Sequence, residues 1–297
     1  MNIHSILPPS SAGIWGPPDG CTGWVMMAQM YPETEDNEEA LEGDASHEIG
    51  YELINYSARG VNSTTFEEFD GEMLSKGIPY TKAMFDGAKM YADNVAEVMR
   101  KYGVFGGEYF GCEQKVLAKS IHDLSFGTTD MFLFPRKERH LFVWDYKFGF
   151  EVVEAYENWQ TMNYIAGIIE KFDIDGTEEQ NIFVHIRIVQ PRAHHADGPI
   201  REWVVKLSDL RGYFNQLHTG AHNSLGNDSQ LRTGKHCKHC QARHACQPFL
   251  TAGMGLLEMC AKPVPVELSP EALGVQSAIV NRGFELFKSL KAAYDVQ

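Results

Sequence analysis

The sequence predicts an α/β fold, a β-sheet covered by helices. Up to about Tyr102 the apolar residues recur every three or four positions, the spacing of helices. From Glu108 they alternate as strands do, and the alternation is interrupted once, by a long stretch of helical spacing from Val153 to Glu170. The turn-forming segments PRKER and HHADGP fall between strand candidates, where reversals of direction are needed.

The elements follow in order. The first stretch, to about Asn37, is rich in Pro and Gly, contains Cys21 and reads as irregular. An acidic run from Glu33 to Glu42 leads into EGDASHEIGYELINYSARG, a helix that presents His47. A second helix covers about Tyr80 to Tyr102. The strands are EYFGCEQKVLA, FGTTDMFLF, HLFVWDYKF, NIFVHIRIVQP and REWVVKL, with the Val153–Glu170 helix between the third and the fourth. Ser208 caps a helix that runs to Leu217. A cysteine-rich segment follows, then the proline-broken linker AKPVPVELSP and a last helix from about Glu271 to Tyr294. The expected division is 1–105, bearing Cys21 and the helices with His47; 106–206, the sheet core; 207–260, a helix and the cysteine segment; and 261–297, linker and last helix.

At 297 residues, 43% of them hydrophobic, the chain can bury a sizeable core. Its formal net charge of −14 works against a polyanionic partner, so nucleic acid has to be met by a local basic patch. The start, MNIHSILPPSSAGIW, lacks a basic segment followed by an apolar one, and no run approaches the roughly 18 apolar residues of a membrane helix. The expectation is a soluble protein of the cytoplasm with no membrane partner. There the six cysteines are thiols or metal ligands rather than disulfides.

The strand FVWDYKFG raises a question of chemistry. Alternation puts Leu141, Val143, Asp145 and Lys147 on one face and Phe142, Trp144 and Tyr146 on the other. If the strand before it pairs across PRKER, Asp130 converges on Asp145. Two close carboxylates repel unless a divalent cation lies between them. Oxygen ligands with a lysine nearby suit Mg²⁺ or Mn²⁺ and a phosphodiester: the metal polarises the phosphate and activates water, and the ammonium steadies developing charge. The plainer alternative is a salt bridge on the solvated face of an edge strand.

Taken together, the pieces resemble the PD-(D/E)XK nuclease superfamily, in particular its RecB-like branch of CRISPR-associated-type iron–sulfur exonucleases and related phage-borne proteins. EGDASH looks like that branch's G-x-x-x-H element and gives His47; EQKV gives Glu113; GTTD gives Asp130; DYKFG gives Asp145 and Lys147; ENWQTMNY matches Q-x-x-x-Y and gives Gln160 and Tyr164; IVQPR resembles a strand end of the phage-borne members; and TGKHCKHCQARHAC resembles an iron–sulfur tail. The likeness covers about residues 12–250. Thr129 stands where the family name has proline, and no G-x-x-x-x-G-K-[ST] segment of a helicase occurs.

The resemblance implies a restriction-endonuclease-like core with a central mixed sheet flanked by helices. It also implies a metal-dependent DNA exonuclease that works on ends or single strands in phage or host recombination, repair or DNA degradation. Asp130, Asp145, Lys147 and Glu113 are the expected catalytic set, with His47, Asp130 and Asp145 holding the metal. Glu113 orients Lys147 or a water, or else is a surface carboxylate. Gln160 and Tyr164, four apart on one helix face, are expected at the substrate, with Arg192 as a phosphate contact. Glu157 lies one turn earlier on nearly the same face. DNA is the implied partner, together with a recombination or single-strand annealing protein, and self-association into a homo-oligomer is open. The rival reading is a non-catalytic nucleic-acid binder with a zinc knuckle and a decayed nuclease core.

Cys237, Cys240 and Cys246 are spaced C-x-x-C-x(5)-C, and three thiolates so close argue for a metal. Spacing leaves open Zn²⁺, held by these three and a histidine, or a [4Fe–4S] cluster, which needs a fourth thiolate. The resemblance supplies Cys21 as that fourth ligand, a cluster joining N- and C-terminal segments. Cys112 and Cys260 read as buried thiols. The cysteine tail is also the most basic part of the chain, and Trp15 and Trp24 either stack on unpaired bases or anchor a core.

Overall fold

The computed structural model describes residues 5–32, 38–61, 65–69, 77–260 and 269–295. The linker at 261–268, residues 33–37 of the acidic run and the side chain of Cys260 lie outside the described residues. In chain order the helices longer than one turn are α1 (Trp24–Met30), α2 (Glu38–Ala58), α3 (Lys82–Tyr102), α4 (Trp159–Lys171), α5 (Arg211–Leu225), α6 (Gln247–Cys260) and α7 (Pro270–Asp295). The strands are β1 (Phe110–Leu117), β2 (Phe126–Leu133), β3 (His140–Tyr146), β4 (Phe183–Val189) and β5 (Ile200–Lys206). None of the described helices is long and apolar enough to cross a membrane.

The chain divides into two compact units: Met1–Ser10 with Glu35–Asn215, and Ser11–Thr34 with Gln216–Gln297. The first holds the sheet, in the order β1-β2-β3-β4-β5. Its short connections make β1/β2, β2/β3 and β4/β5 antiparallel, whereas the crossover through α4 makes β3/β4 parallel. The sheet is therefore mixed, and β3 is internal to it.

Alternation along β3 sends Phe142, Trp144 and Tyr146 to the face covered by α2 and α3, where they join Ile49, Leu53, Tyr91, Val95 and Met99 in one core. Gly50 lets α2 lie flat on α3: a Cβ there would come within 3.0 Å of the Tyr91 ring. Trp144 satisfies its buried indole by donating to Asn94 of α3 at 2.8 Å. On the other face α4 crosses β1 at Gly167, where a Cβ would lie 3.0 Å from the Leu117 carbonyl. That close crossing seats the first turn of α4 over the end of β3.

Three local expectations are corrected. The helix expected from Val153 starts only at Trp159, because Glu157 has φ +52° and Asn158 is extended, its side chain accepting from Thr161 N at 3.0 Å as an N-cap. Ser208 caps nothing. Its hydroxyl donates to Asp209 within a 3₁₀ turn, and α5 begins at Arg211 and continues past Leu217 to Leu225. The Pro/Gly-rich start is not irregular throughout, for it contains helical turns at Pro9–Ser11 and Ala12–Trp15 as well as α1. Trp15 is fully buried and donates to Ser11 Oγ, which removes it as a stacking surface for bases.

Candidate functional site

The site lies where β2 and β3 stop pairing. Their ladder runs from Leu133↔Phe142 to Met131↔Trp144, and one step further Asp130 and Asp145 would be partners. Instead the Asp130 carboxylate takes the place of a backbone acceptor: Tyr146 N donates to Asp130 Oδ2 at 2.6 Å. The β1/β2 ladder is interrupted at the same level, between Cys112↔Met131 and Gln114↔Thr129, by Glu113 with φ +46°. Left-handed backbone in a strand is uncommon for a residue with a Cβ and tends to persist where a function holds it.

These distortions gather charge. His47, from α2, lies with its Nδ1 3.5 Å from Glu113 Oε1 and 3.8 Å from Asp130 Oδ2. Donor atoms of His47, Glu113 and Asp130 all lie within 4.8 Å of one another. The His47 ring meets Tyr146 edge-on at 5.2 Å, and Tyr146 shares a 2.7 Å hydrogen bond with Ser46 and stacks on Tyr91. The imidazole is thus oriented by the helix and by the strand that carries Asp145.

Asp145 is completely buried. Its Oδ1 accepts from Lys147 Nζ at 2.9 Å and from Gln160 Nε2 at 3.0 Å, and Lys147 also donates to Gln160 Oε1 at 3.2 Å. Its other oxygen, Oδ2, is buried without a hydrogen-bond partner among the described residues. A carboxylate oxygen left bare in a protein interior is costly unless something else binds it. The edge-strand salt bridge is excluded, since β3 is internal and Asp145 has no exposed surface.

The electrostatics follow from burial and crowding. Burial pushes the Asp130 and Asp145 carboxyls upward, with His47 pulling Asp130 back and Lys147 pulling Asp145 back. Burial alone would depress His47, but the Asp130 carboxylate and the Glu113 hydrogen bond outweigh it and hold the ring up at about 9. Lys147 is held charged in the same way: burial is outweighed by Asp145 and Asp130. The centre is two or three carboxylates balanced by two cationic groups.

The residues read from the sequence are mostly here, with altered parts. Glu113 joins His47 and Asp130 in the close trio, where Asp145 had been expected. Asp145 pairs with Lys147 and Gln160 beside it. Tyr164 is buried, and its hydroxyl accepts from Gln160 Nε2 at 3.3 Å, which steadies Gln160. Arg192 is engaged: it donates to Glu42 Oε2 at 2.7 Å and lies over the rings of Phe148 and Phe150. Glu157 accepts from the Tyr213 hydroxyl.

Sequence reasoning missed Arg201 and gave Gln190 no partner. Arg201, buried in β5, donates to the Val153 and Gly198 carbonyls and to Gln190 Oε1. Gln190 in turn donates to the carbonyls of Gly149 and Glu151 and accepts from Val153 N. The pair fastens the loop that leads from Lys147 to Gln160. A charge in the alternating strand REWVVKL was the available signal.

In the second unit Cys21, Cys237, Cys240 and Cys246 line one apolar hollow with Trp24, Met27, Leu231, Ala242 and Phe249. All four are free thiols. Backbone N–H groups point at two of the sulfurs, Arg232 N at Cys21 Sγ and Gly234 N at Cys237 Sγ, each at 3.4 Å. The four cysteines thus share one hollow, and the Ala242 amide reaches a third sulfur, that of Cys240. Trp24 belongs to the wall of that hollow. Cys112, by contrast, lies in β1 opposite Met131, partly packed against the sheet core.

A family model described as a protein of unknown function, DUF2800, matches residues 4–282. No curated protein matches the chain.

Proposed function

The chain belongs to the DUF2800 family, and we propose that it is a metal-dependent deoxyribonuclease of the PD-(D/E)XK type, RecB-like, that hydrolyses phosphodiester bonds at DNA ends or in single strands. One observation carries the reading. At the point where β2 and β3 part, a buried carboxylate keeps one oxygen bare while lysine and glutamine occupy the other, beside a His–Glu–Asp trio of ligand spacing.

The donor set suits Mg²⁺ or Mn²⁺: carboxylate oxygens from Asp130 and Glu113 and an imidazole from His47, with the bare Asp145 oxygen on the adjoining strand. When bound, such a cation polarises the phosphodiester and lowers the pKa of water. The side chains do the positioning. Gln160 and Lys147 fix Asp145 through Oδ1, which leaves Oδ2 as the oxygen free to ligate. Lys147 stays protonated between Asp145 and Asp130 and presents its charge to the phosphate as negative charge develops. Tyr164 and the Gln190–Arg201 clamp hold Gln160 and the loop after Lys147 in register. His47 would hold the cation as a neutral imidazole, and Tyr146 keeps the ring oriented.

The four cysteines support a structural [4Fe–4S] cluster, with structural Zn²⁺ as the alternative, and DNA is the partner. The test uses the full chain with linear and single-stranded DNA and Mn²⁺ or Mg²⁺. DNA should be degraded, and Asp145→Ala and Lys147→Ala should abolish degradation while keeping the circular dichroism of the parent. Degradation that persists in excess chelator refutes the reading. DNA binding without metal-dependent cleavage would instead make the protein a non-catalytic binder.

A further inference from the structure

The hollow of the four cysteines is also lined by polar side chains, among them a buried guanidinium. Arg243 lines it, and its guanidinium is tied at one end: Nη1 donates to the carbonyls of Lys238 at 2.9 Å and Cys240 at 3.5 Å. Its Nε is buried and has no hydrogen-bond partner among the described residues. A guanidinium N–H buried without an acceptor is costly, so the site calls for one. The side chains that share the hollow with it include the four cysteines, with Arg232 and His236 the other polar ones.

A tetrathiolate centre supplies what is absent. Four thiolates around Zn²⁺, or around a [4Fe–4S]²⁺ core, leave a net charge of about −2 in a wall of Trp24, Met27, Leu231 and Phe249, and a buried anion needs both a counter-charge and hydrogen bonds. The amides of Arg232, Gly234 and Ala242 serve Cys21, Cys237 and Cys240. Cys240 and Cys246 lie in the segment that Arg243 itself belongs to, and Arg243 is fastened to the carbonyl of Cys240.

We infer that Arg243 is the counter-charge of this metal centre, donating through Nε to a metal-bound sulfur of the Cys237–Cys246 segment. The inference rests on the four-cysteine reading above. It makes Arg243 a positioning residue: the metal is held by sulfur, and the guanidinium lowers the cost of gathering four thiolates in one apolar space. It also binds the two 3₁₀ turns, Lys235–His239 and Gln241–Ala245, into one ligand-bearing piece.

The experiment uses the anaerobically purified full chain, its Arg243→Gln variant and its Arg243→Lys variant. Metal content is counted, release is followed against excess EDTA for zinc or bathophenanthroline for iron, and the thiolate-to-metal absorption band is recorded. Arg243→Gln should release metal about 10–100-fold faster than the parent, the usual consequence of losing a partner behind the ligands, and its band should move to longer wavelength. Arg243→Lys, which restores the charge and not the planar donor, should recover part of the retention. A parent that holds no metal overturns the four-cysteine reading itself. A metal-loaded parent whose Arg243→Gln variant keeps the same release rate and the same band overturns the role of Arg243 alone. Faster release with an unmoved band also overturns it, since that is what a merely loosened turn would do.

Discussion

Glu113 combines strain and charge, and that combination can be measured. At φ +46° its backbone occupies the left-handed region, which costs a residue with a Cβ about 1–2 kcal/mol. Glycine relieves that cost but gives back about 0.5–1 kcal/mol through its freer unfolded chain. Loss of the half-exposed contact with His47 removes about 0.5 kcal/mol more. Glu113→Gly should therefore change stability by about −0.5 to +1 kcal/mol in EDTA. Lys115, exposed in the same strand and without positive φ, is the control, and Lys115→Gly should lose about 1 kcal/mol. Urea midpoints at constant slope read both. Mn²⁺ then separates the roles: at a free concentration a hundred times its dissociation constant it should stabilise the parent by about 2.7 kcal/mol and the Glu113→Gly variant by far less. If Glu113→Gly is as unstable as Lys115→Gly, and Mn²⁺ stabilises it as much as the parent, then Glu113 is neither strained nor a ligand.

Lys147→Met should slow DNA hydrolysis about 10²–10³-fold while titration calorimetry finds Mn²⁺ binding little changed, because the ammonium acts on the phosphate and not as a ligand. Lost Mn²⁺ binding would place Lys147 in the architecture of the site instead. Arg201→Met strips a donor from the Val153 and Gly198 carbonyls and Gln190 Oε1, a loss of about 3 kcal/mol, visible as a markedly lower melting temperature. An unchanged melting temperature would mean the clamp holds nothing. Glu202 is held down to about 2 by its hydrogen bond from His185 and then by Arg187. Its depressed folded value means that its contribution is full above pH 4.5 and is lost as pH falls through about 2. After discounting for solvent at a one-third exposed carboxylate, that contribution is about 1–2 kcal/mol. Glu202→Gln should flatten the acid limb of the stability profile between those values, and an unaltered limb would show the pairing to be inert.

The sheet was legible because β4 and β5 alternate and β3 is a short, almost wholly apolar run, and the trapped pair Asp145–Lys147 was legible because charge in an internal strand demands a reason. Alternation also placed Asp130 opposite Asp145. It did not reveal that the ladder would end there, since that depends on a carboxylate replacing a carbonyl as the acceptor for Tyr146 N. Glu113 was seen as a carboxylate near the site but not as a member of the close trio, because a strand pattern carries no hint of a left-handed residue. The late start of α4 was hidden for a related reason: Ala155, Trp159 and Met162 keep helical spacing, and only Asn158 as cap decides against the earlier start. Arg192 looked free because Glu42, far away in sequence, pairs with it.

The order of segments along the chain bears on how the protein is made. The cysteine-bearing unit is written in two pieces, Ser11–Thr34 and Gln216–Gln297, with most of the sheet-bearing unit between them. During synthesis at about 5–20 residues per second, Cys21 emerges roughly ten to forty-five seconds before Cys246. The sheet can therefore be complete while the first thiol still waits for its companions. The four sulfurs can meet only once Cys246 has been made.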